Sequence, residues 1–302
     1  MTDIAVIIVG LNASDYVKAC LESLRLTEWR NWTHEVIYVD NGSTDNTLAM
    51  LASNFPTVIV HANSSNLGFC KAANLGAAMA TSRYYFFLND DTVLRKDSIG
   101  LLADAAENMP HLGVIASRLV FPDLTEQYSG RRFPSITNGI LGRRSFLTRV
   151  FPKCKPVADY LYKDALNGRE PFSVDWVSAA ALMVSKETFE MVGGFAEDYY
   201  YWHEAVFCER VRRKGMQIYL HPRSIIIHHE GKGSGSRPFA TRKWHILDFH
   251  RAAYRCYCER YGLGRFSLRR WFAAIALTLR ATSLLAGTWI ATRTSEIQTS
   301  RS

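Results

Sequence analysis

The segment Tyr84-Tyr85-Phe86-Phe87-Leu88-Asn89-Asp90-Asp91-Thr92 most narrows what this chain can fold into. Its bulky side chains run without polar alternation, which predicts a strand covered on both faces rather than one with a face in water. The run then breaks into an Asn and two carboxylates. In an open α/β sheet, ligands collect just beyond the carboxyl ends of the strands. Acids placed there can hold a hard divalent cation against phosphate oxygens. The same residues also suit a solvated turn that caps a helix, so taken alone they leave both readings open.

The chain before this segment settles the architecture. Ile4–Val9 predicts a buried strand that ends at Gly10-Leu11-Asn12, followed by a helix with Ser14 or Asp15 as its cap and Val17, Leu21 and Leu24 facing inward. Glu35–Val39 predicts a second strand closed by Asp40-Asn41-Gly42-Ser43-Thr44-Asp45, then a helix over about Thr47–Asn54. Val58–Val60 is the third strand, and Asn66-Leu67-Gly68-Phe69 opens a small-residue helix through Met79. Strands alternating with helices at this spacing imply right-handed crossovers and a doubly wound, mostly parallel α/β sheet. Three strand ends then bring Asn12, Asp40-Asn41 and Asn89-Asp90-Asp91 to one edge. Asp40 there can accept a hydrogen bond from a nucleobase N–H, or its loop can simply cap the next helix. The loops carry neither GxxxxGK[ST] nor GxGxxG, which argues against a P-loop and a dinucleotide fingerprint.

With 302 residues, 48% of them hydrophobic, the chain can form one large domain or one domain with an appendage. The net charge of +8 suits an anionic partner. Its basic clusters, among them Arg131-Arg132, Arg143-Arg144 and Arg269-Arg270, lack the interleaved aromatics of a nucleic-acid surface, so no nucleic acid is expected. Six cysteines without a CxxC pair read as reduced thiols of a cytoplasmic protein. No basic region precedes Ile4–Val9, which reads as a strand rather than a signal peptide.

The second half is less regular. A helix is expected over Leu101–Asn108, a strand at Val114–Ala116, and then an irregular insertion from Phe121 to about Ser173 whose Arg131, Arg132, Arg143 and Arg144 are candidates for meeting an anionic lipid or acceptor. Val174–Val184 reads as one apolar strand, with Ser185 capping a helix toward Val192. A basic helix over Glu209–Lys214 ends at Gly215, and Ile218–Leu220 and Ile225–Ile227 are two short strands. The tail from Trp244 is expected to be helical. Trp271–Thr292 is apolar except for Arg280 at its centre, which makes spanning a bilayer costly. Two readings stand for it: an interfacial amphipathic helix on anionic lipid, or a partner-binding or dimerising helix.

The opening strand, Val39-Asp40-Asn41-Gly42-Ser43-Thr44-Asp45, Asn66-Leu67-Gly68-Phe69 with Asn74, and Leu88-Asn89-Asp90-Asp91-Thr92 together resemble family 2 glycosyltransferases of the GT-A fold, over roughly Ile4 to Ser234. Within that family the chain is most similar to rhamnosyltransferases and related enzymes of bacterial cell-surface polysaccharide assembly. The resemblance implies a GT-A domain over 1–240, with a nucleotide-sugar half to about 118 and an acceptor half beyond it, and a helical tail over 241–302. It implies a dTDP- or UDP-sugar donor, a saccharide or polyprenyl-linked acceptor, a divalent Mg²⁺ or Mn²⁺, and inversion at the anomeric carbon; the cysteines and the tail, read by themselves, add the expectation of a cytoplasmic enzyme, peripheral on the inner membrane face or oligomeric. Carried over by position, Asp40 reads the base, Asn12 contributes to the same edge, and Asn66, Gly68 and Asn74 shape the nucleotide wall with Lys71 near the phosphates. Asp91 binds the metal, with Asn89 and Asp90 beside it. Trp176 is a candidate for stacking on the sugar, or a core tryptophan.

For the base that takes the acceptor proton, the family places a Glu-Asp pair after an aromatic run. Aligning Trp202 and Cys208 puts His203-Glu204 on that pair, so Glu204 is the catalytic base. Its alternative is a helix-start acid favoured by the macrodipole. A further family acid is replaced here by Val206, which keeps alive a second function, a degenerate nucleotide-sugar-binding subunit. His228 or His229 can complete the metal shell, and Lys232 in the Gly/Ser run can close over phosphate.

Overall fold

The computed structural model describes residues 2–133, 155–230 and 239–299, so Arg143, Arg144, Cys154, Lys232 and the Gly/Ser run of residues 233–236 lie outside the described residues. The chain divides into two compact units, Met1–Glu197 with His203–Glu230, and Asp198–Trp202 with Gly231–Ser302.

In the first unit, β1 (Ile4–Gly10), α1 (Ser14–Arg25), β2 (His34–Asp40), α2 (Thr47–Asn54), β3 (Ile59–Ala62), α3 (Phe69–Met79) and β4 (Tyr84–Asn89) form the alternating series that the hydrophobic pattern predicts. β5 (Thr92–Leu94), α4 (Ser98–Asn108) and β6 (Leu112–Val120) follow. After β7 (Gly130–Arg131) come α5 (Lys155–Tyr160), β8 (Phe172–Val174), β9 (Trp176–Val177), β10 (Ala181–Ser185), α6 (Lys186–Met191), α7 (His203–Arg213) and β11 (Gln217–His228). Among the described residues the main sheet runs β3-β2-β1-β4-β10-β6-β11-β5, with β8 paired to β11. β3, β2, β1 and β4 are mutually parallel, as are β6 and β11, and β10 lies antiparallel between β4 and β6.

The aromatic strand is buried on both faces. Tyr84, Phe86 and Leu88 join Ile4, Val6 and Ile8 under α1, α2 and α4. Tyr85 and Phe87 point the other way, into rings of Phe189, Phe195 and Phe207. α3 covers that second face closely, since a Cβ at Gly76 would sit 2.6 Å from Ile7 Cγ2. The register then levels the strand ends: Gly10 pairs with Asp40, Asp40 with Ala62, and Val9 with Asn89. The polar residues that follow these strands are thereby delivered to one edge.

Several expectations change. α1 has Ala13 at its cap position, with no capping side chain of its own. The loop after β2 serves instead, as Ser14 N donates to Asp45 Oδ2 at 3.4 Å and Ala13 N to Thr47 Oγ1 at 3.2 Å. Ser185 does cap its helix, accepting from Thr188 N at 3.1 Å. Val174–Val184 is not one strand: Trp176-Val177 pair with β7 in a separate ribbon, and the chain turns through Ser178–Ala180 before β10 joins the main sheet. Conversely, the two short strands near the end of the unit are one strand, β11, interrupted by a register shift between His221 and Ile225. Pro222 lies in that shift and has no N–H for the ladder, so the chain bulges there and resumes.

The second unit is helical, as expected of the tail. α8 (Phe239–Arg260) and α9 (Leu268–Thr299) pack through small buried residues, Ala252, Ala253, Cys256 and Ala281. Arg270 Nε donates to Tyr254 Oη at 2.8 Å. Tyr199 Oη donates to Glu259 Oε1 at 2.9 Å, with the Arg255 guanidinium 4.2 Å over the Tyr199 ring.

The bulge carries a titratable group inward. His221 is buried, its Nδ1 accepts from Arg223 N at 3.3 Å, and desolvation pushes the imidazole down to about 4, the Arg223 charge adding to the effect. The unfolded chain therefore takes up a proton near the ordinary histidine range while the native state does not. Stability from this group is full above about pH 6.5 and is lost as pH falls toward 4. Urea unfolding should show His221→Gln losing about 1–3 kcal/mol less than the wild type between neutral pH and pH ~4.5; equal losses would remove His221 as the cause.

Candidate active site

Asp40 closes β2 fully buried. Its Oδ2 accepts from Gly42 N at 3.0 Å and Ser43 N at 2.8 Å, a tight turn that needs the φ of +86° at Gly42. Its Oδ1 is shielded from water and takes no donor from the described residues. A buried carboxylate oxygen without a donor is costly, so the arrangement suits a donor that arrives with a ligand.

The neighbouring amides frame this loop. Asn12, at φ +49°, accepts at Oδ1 from Thr44 N at 2.8 Å and Asp45 N at 3.3 Å, while its own N–H donates to Ser43 Oγ at 2.8 Å. Asn41 N donates to Gly10 O at 2.8 Å, and Asn41 Oδ1 accepts from Asn63 Nδ2 at 3.2 Å. Asn66 Oδ1 accepts from Gly68 N at 2.8 Å and sets the turn, with φ +80° at Gly68, that starts α3. Lys71 stands exposed on the first turn of that helix.

Asn74 and Trp176, expected beside the ligand, also make contacts within the chain. Asn74 spends both ends of its amide on the turn before α7: Oδ1 accepts from Phe195 N at 2.9 Å and Nδ2 donates to Phe195 O at 3.0 Å. Trp176 is buried, Nε1 donates to Arg132 O at 3.0 Å, and the Arg131 guanidinium lies 4.8 Å over its ring. Trp176 is thereby packed by its own neighbours, with 6% of its surface exposed. The same contacts occupy Arg131, and Arg132 lies 4.8 Å over the Tyr162 ring.

At the exit of β4 the side chains converge. His228 ends β11 opposite Thr92, and its Nε2 lies 3.2 Å from Asp91 Oδ1 and 3.2 Å from Asn89 Nδ2. Asp91 and His228 are both buried. His228 Nδ1 stands 2.8 Å from Gln127 Oε1, and Gln127 Nε2 donates to His228 O at 2.6 Å. An amide oxygen can only accept, so Nδ1 donates to Gln127, and Nε2 is the ring nitrogen turned toward Asp91 and Asn89. Such an outer partner is what orients a metal-binding imidazole. Among the described residues no group of three or more His, Cys, Asp or Glu side chains converges for a metal. One carboxylate beside one imidazole can supply only part of a divalent cation's shell, with water and substrate phosphates supplying the rest.

Gly10 and Tyr38 complete this edge. A Cβ at Gly10 would stand 1.9 Å from Tyr38 Oη and 2.9 Å from Asp90 Oδ2, so only glycine leaves room for the phenol and the acid. Tyr38 is buried, its hydroxyl takes no partner from the described residues, and burial pushes its ionisation far up, with the Asp90 and Asp40 charges adding.

Glu204 occupies the first turn of α7, with its Oε2 3.7 Å from His203 Nε2. The His203 ring packs 5.0 Å from Phe69, the first residue of α3, and 6.0 Å from Phe195. Gly68 O beside Phe69 accepts from Asn41 Nδ2 at 3.4 Å, so within this unit the start of α7 is tied to the β2 edge. One turn on, burial pushes the Cys208 thiol up to about 12, the Glu204 charge adding, so this cysteine is a packed neutral thiol. The five described cysteines are all free thiols.

A family model described as Glycosyl transferase family 2 matches residues 5–173. The chain belongs to that family. Asp40 and Asp91 lie inside the matched span, whereas Glu204 and His228 lie beyond it. The N-acetylglucosaminyl-diphospho-decaprenol L-rhamnosyltransferase of Mycobacterium tuberculosis is 28% identical over 296 residues, covering 93% of this chain and 92% of that protein. Among solved structures, a mannosyltransferase from Pyrobaculum calidifontis in complex with GDP-Man and Mn²⁺ superposes with a TM-score of 0.56 at 16% identity, over 96% of this chain and 82% of that one. GalNAc-T7 with UDP, GalNAc and Mn²⁺ gives a TM-score of 0.59 at 14% identity, over 76% of this chain. The match spans 44% of that larger chain. At these identities the two structures carry the fold, an α/β sheet of GT-A type, and that is the architecture the sequence implied.

His228, Gln127, Gly10 and Tyr38 stand at this edge with Asp91, Asp90 and Asp40, and sequence reasoning under-weighted them. The Gly10→Ala variant should lose about 1–3 kcal/mol in urea unfolding through overpacking. Adding Tyr38→Phe should recover part of it by removing the atom at 1.9 Å; an unaltered loss would place the clash elsewhere.

Proposed function

We propose that this family 2 transferase moves a sugar, rhamnose by similarity, with inversion, from a dTDP- or UDP-sugar to a saccharide or polyprenyl-linked acceptor in cell-surface polysaccharide synthesis. The observation that carries the reading is the Asp91–His228 pair at the exit of β4, on the edge where Asp40 presents one unmet oxygen. The mycobacterial relative, named for rhamnosyl transfer to a decaprenol-linked sugar, supports the sugar moved and the acceptor class.

Asp91 and His228 would hold Mg²⁺ or Mn²⁺, and the cation when bound neutralises the departing diphosphate. Asp40 accepts at Oδ1 from the ring N–H of the base. Because Oδ2 is already used by two backbone donors, one acceptor remains. A pyrimidine dione offers one ring N–H there, whereas guanine presents two adjacent donors to a carboxylate, so the site favours uracil or thymine. Glu204 takes the proton of the acceptor hydroxyl while its oxygen bonds to the anomeric carbon from the face opposite the leaving phosphate. Asn12, Asn66 and Asn74 hold the loops that frame these groups. Lys71, Asn89 and Asp90 stand beside the phosphate position.

A second reading, a nucleotide-sugar-binding subunit without turnover, is favoured by His203, Ala205 and Val206 around the lone Glu204. Calorimetric binding of nucleotide sugar with no release of nucleoside diphosphate in the presence of acceptor would establish it.

Glu204→Gln should lower kcat by about 10²–10⁴-fold while keeping the wild-type thermal shift with nucleotide and Mn²⁺. Asp91→Asn should lose the cation-dependent part of that shift. Wild-type turnover in either variant would dismiss the assignment. Asp40→Asn should weaken UDP or dTDP binding by about 1.5–3 kcal/mol by calorimetry. The wild type should bind GDP more weakly than UDP, and equal affinities would remove Asp40 as the base reader.

A further inference from the structure

The sequence of the tail poses a problem that its structure resolves. Between Arg260 and Ser295 there are six arginines and no acidic residue, and one of them, Arg280, stands at the centre of the apolar run. On α9, Leu268, Trp271, Phe272, Ile275 and Leu279 recur at helical spacing and are exposed, Phe272 and Leu279 to 65% each. Trp289 continues the stripe at its far end, about 27 Å from Trp271 at 1.5 Å per residue. Arg280 is not on this stripe. It is half-buried on the side facing α8, where its charge adds to burial in lowering the His250 imidazole below its ordinary range. Arg270, on the same side, bonds Tyr254 of α8. The outward face from Trp271 to Trp289 thus carries no charge and has a tryptophan at either end.

Leu268–Trp289 is long and apolar enough to cross a bilayer by length and composition, and only 6% of its most apolar window is buried. Its partner decides otherwise. α8 lies along the inner side of α9 and carries Arg242, Lys243, Asp248, Arg251, Arg255 and Glu259. Spanning would draw those charges into hydrocarbon, whereas lying in the interface leaves them in water.

We propose that the outward face of α9 seats in the surface of an anionic phospholipid bilayer, with the helix in the membrane plane, the two tryptophans at headgroup level and Arg265 and Arg269 on lipid phosphates. The occupant follows from the charge: an unbroken basic segment around an uncharged apolar stripe complements an anionic interface. The proposal rests on the transferase reading only for its purpose, since a polyprenyl-linked acceptor resides in a membrane.

The experiment is co-sedimentation of the full chain with vesicles of phosphatidylcholine alone and of phosphatidylcholine with phosphatidylglycerol in equal parts, without nucleotide. Binding to the anionic vesicles is expected, weakening as salt is raised, with a blue shift of tryptophan emission. Phe272→Glu with Leu279→Glu should bind at least about tenfold more weakly, and Arg269→Glu should lose the preference for anionic lipid. Both positions of the double variant are exposed, so its circular dichroism and its thermal shift with UDP and Mn²⁺ should match the wild type. A failure here therefore leaves the transferase reading standing. Absence of wild-type binding at low salt, or undiminished binding by the double variant, overturns the proposal. So does a wild-type dimer, seen by light scattering without lipid, that the double substitution abolishes while no vesicle binding occurs; the face would then belong to a second copy.

Discussion

The parallel register of β2, β1 and β4 is the constraint on which the site depends. Because Gly10 lies level with Asp40, and Val9 with Asn89, the turns that follow leave the sheet at one height. Hydrophobic burial on both faces of β4 holds that register, since a slip by one residue would exchange Tyr85 and Phe87 for Phe86 and Leu88 in two differently shaped layers. The chemistry at the edge is thus positioned by packing well below it.

At that edge, polar groups divide into those satisfied within the chain and those left open. Asn12, Asn66 and Asn74 are consumed by backbone, which stiffens the loops. Asp40 keeps one oxygen unmet, and Gln127 fixes the His228 ring so that Nε2 faces Asp91. Preorganisation of this kind lets a ligand meet groups that are already oriented.

Much of the fold was legible in the sequence because its signals are local. Unbroken apolar runs, turn residues and helix spacing located β1 to β4 and the helices between them, and α2 and α3 begin and end where periodicity placed them. What was not legible depends on distant partners. Gln127 meets His228 across 101 residues, and nothing around Gln127 marks it. Trp176 and Asn74 have residue types that suit sugar and nucleotide sites, and their contacts with Arg131 and Phe195 could not be read from the residues around them. Arg280 interrupts an apolar segment in the sequence, and only the packing of α9 on α8 shows which side it occupies.

The bulge in β11 has a consequence for how this region can vary. Pro222, Arg223 and Ser224 lie between two registers, His221 beside Ser117 and Ile225 beside Arg118. That spacing brings His228, rather than Ile227 or His229, opposite Thr92 and next to Asp91. The loop therefore acts as a ruler whose markings are chain length rather than residue identity. Replacement of Arg223 would leave the reading intact, whereas an insertion or deletion of one residue would turn the imidazole to the far side of the sheet and bring a neighbour with different chemistry into its place.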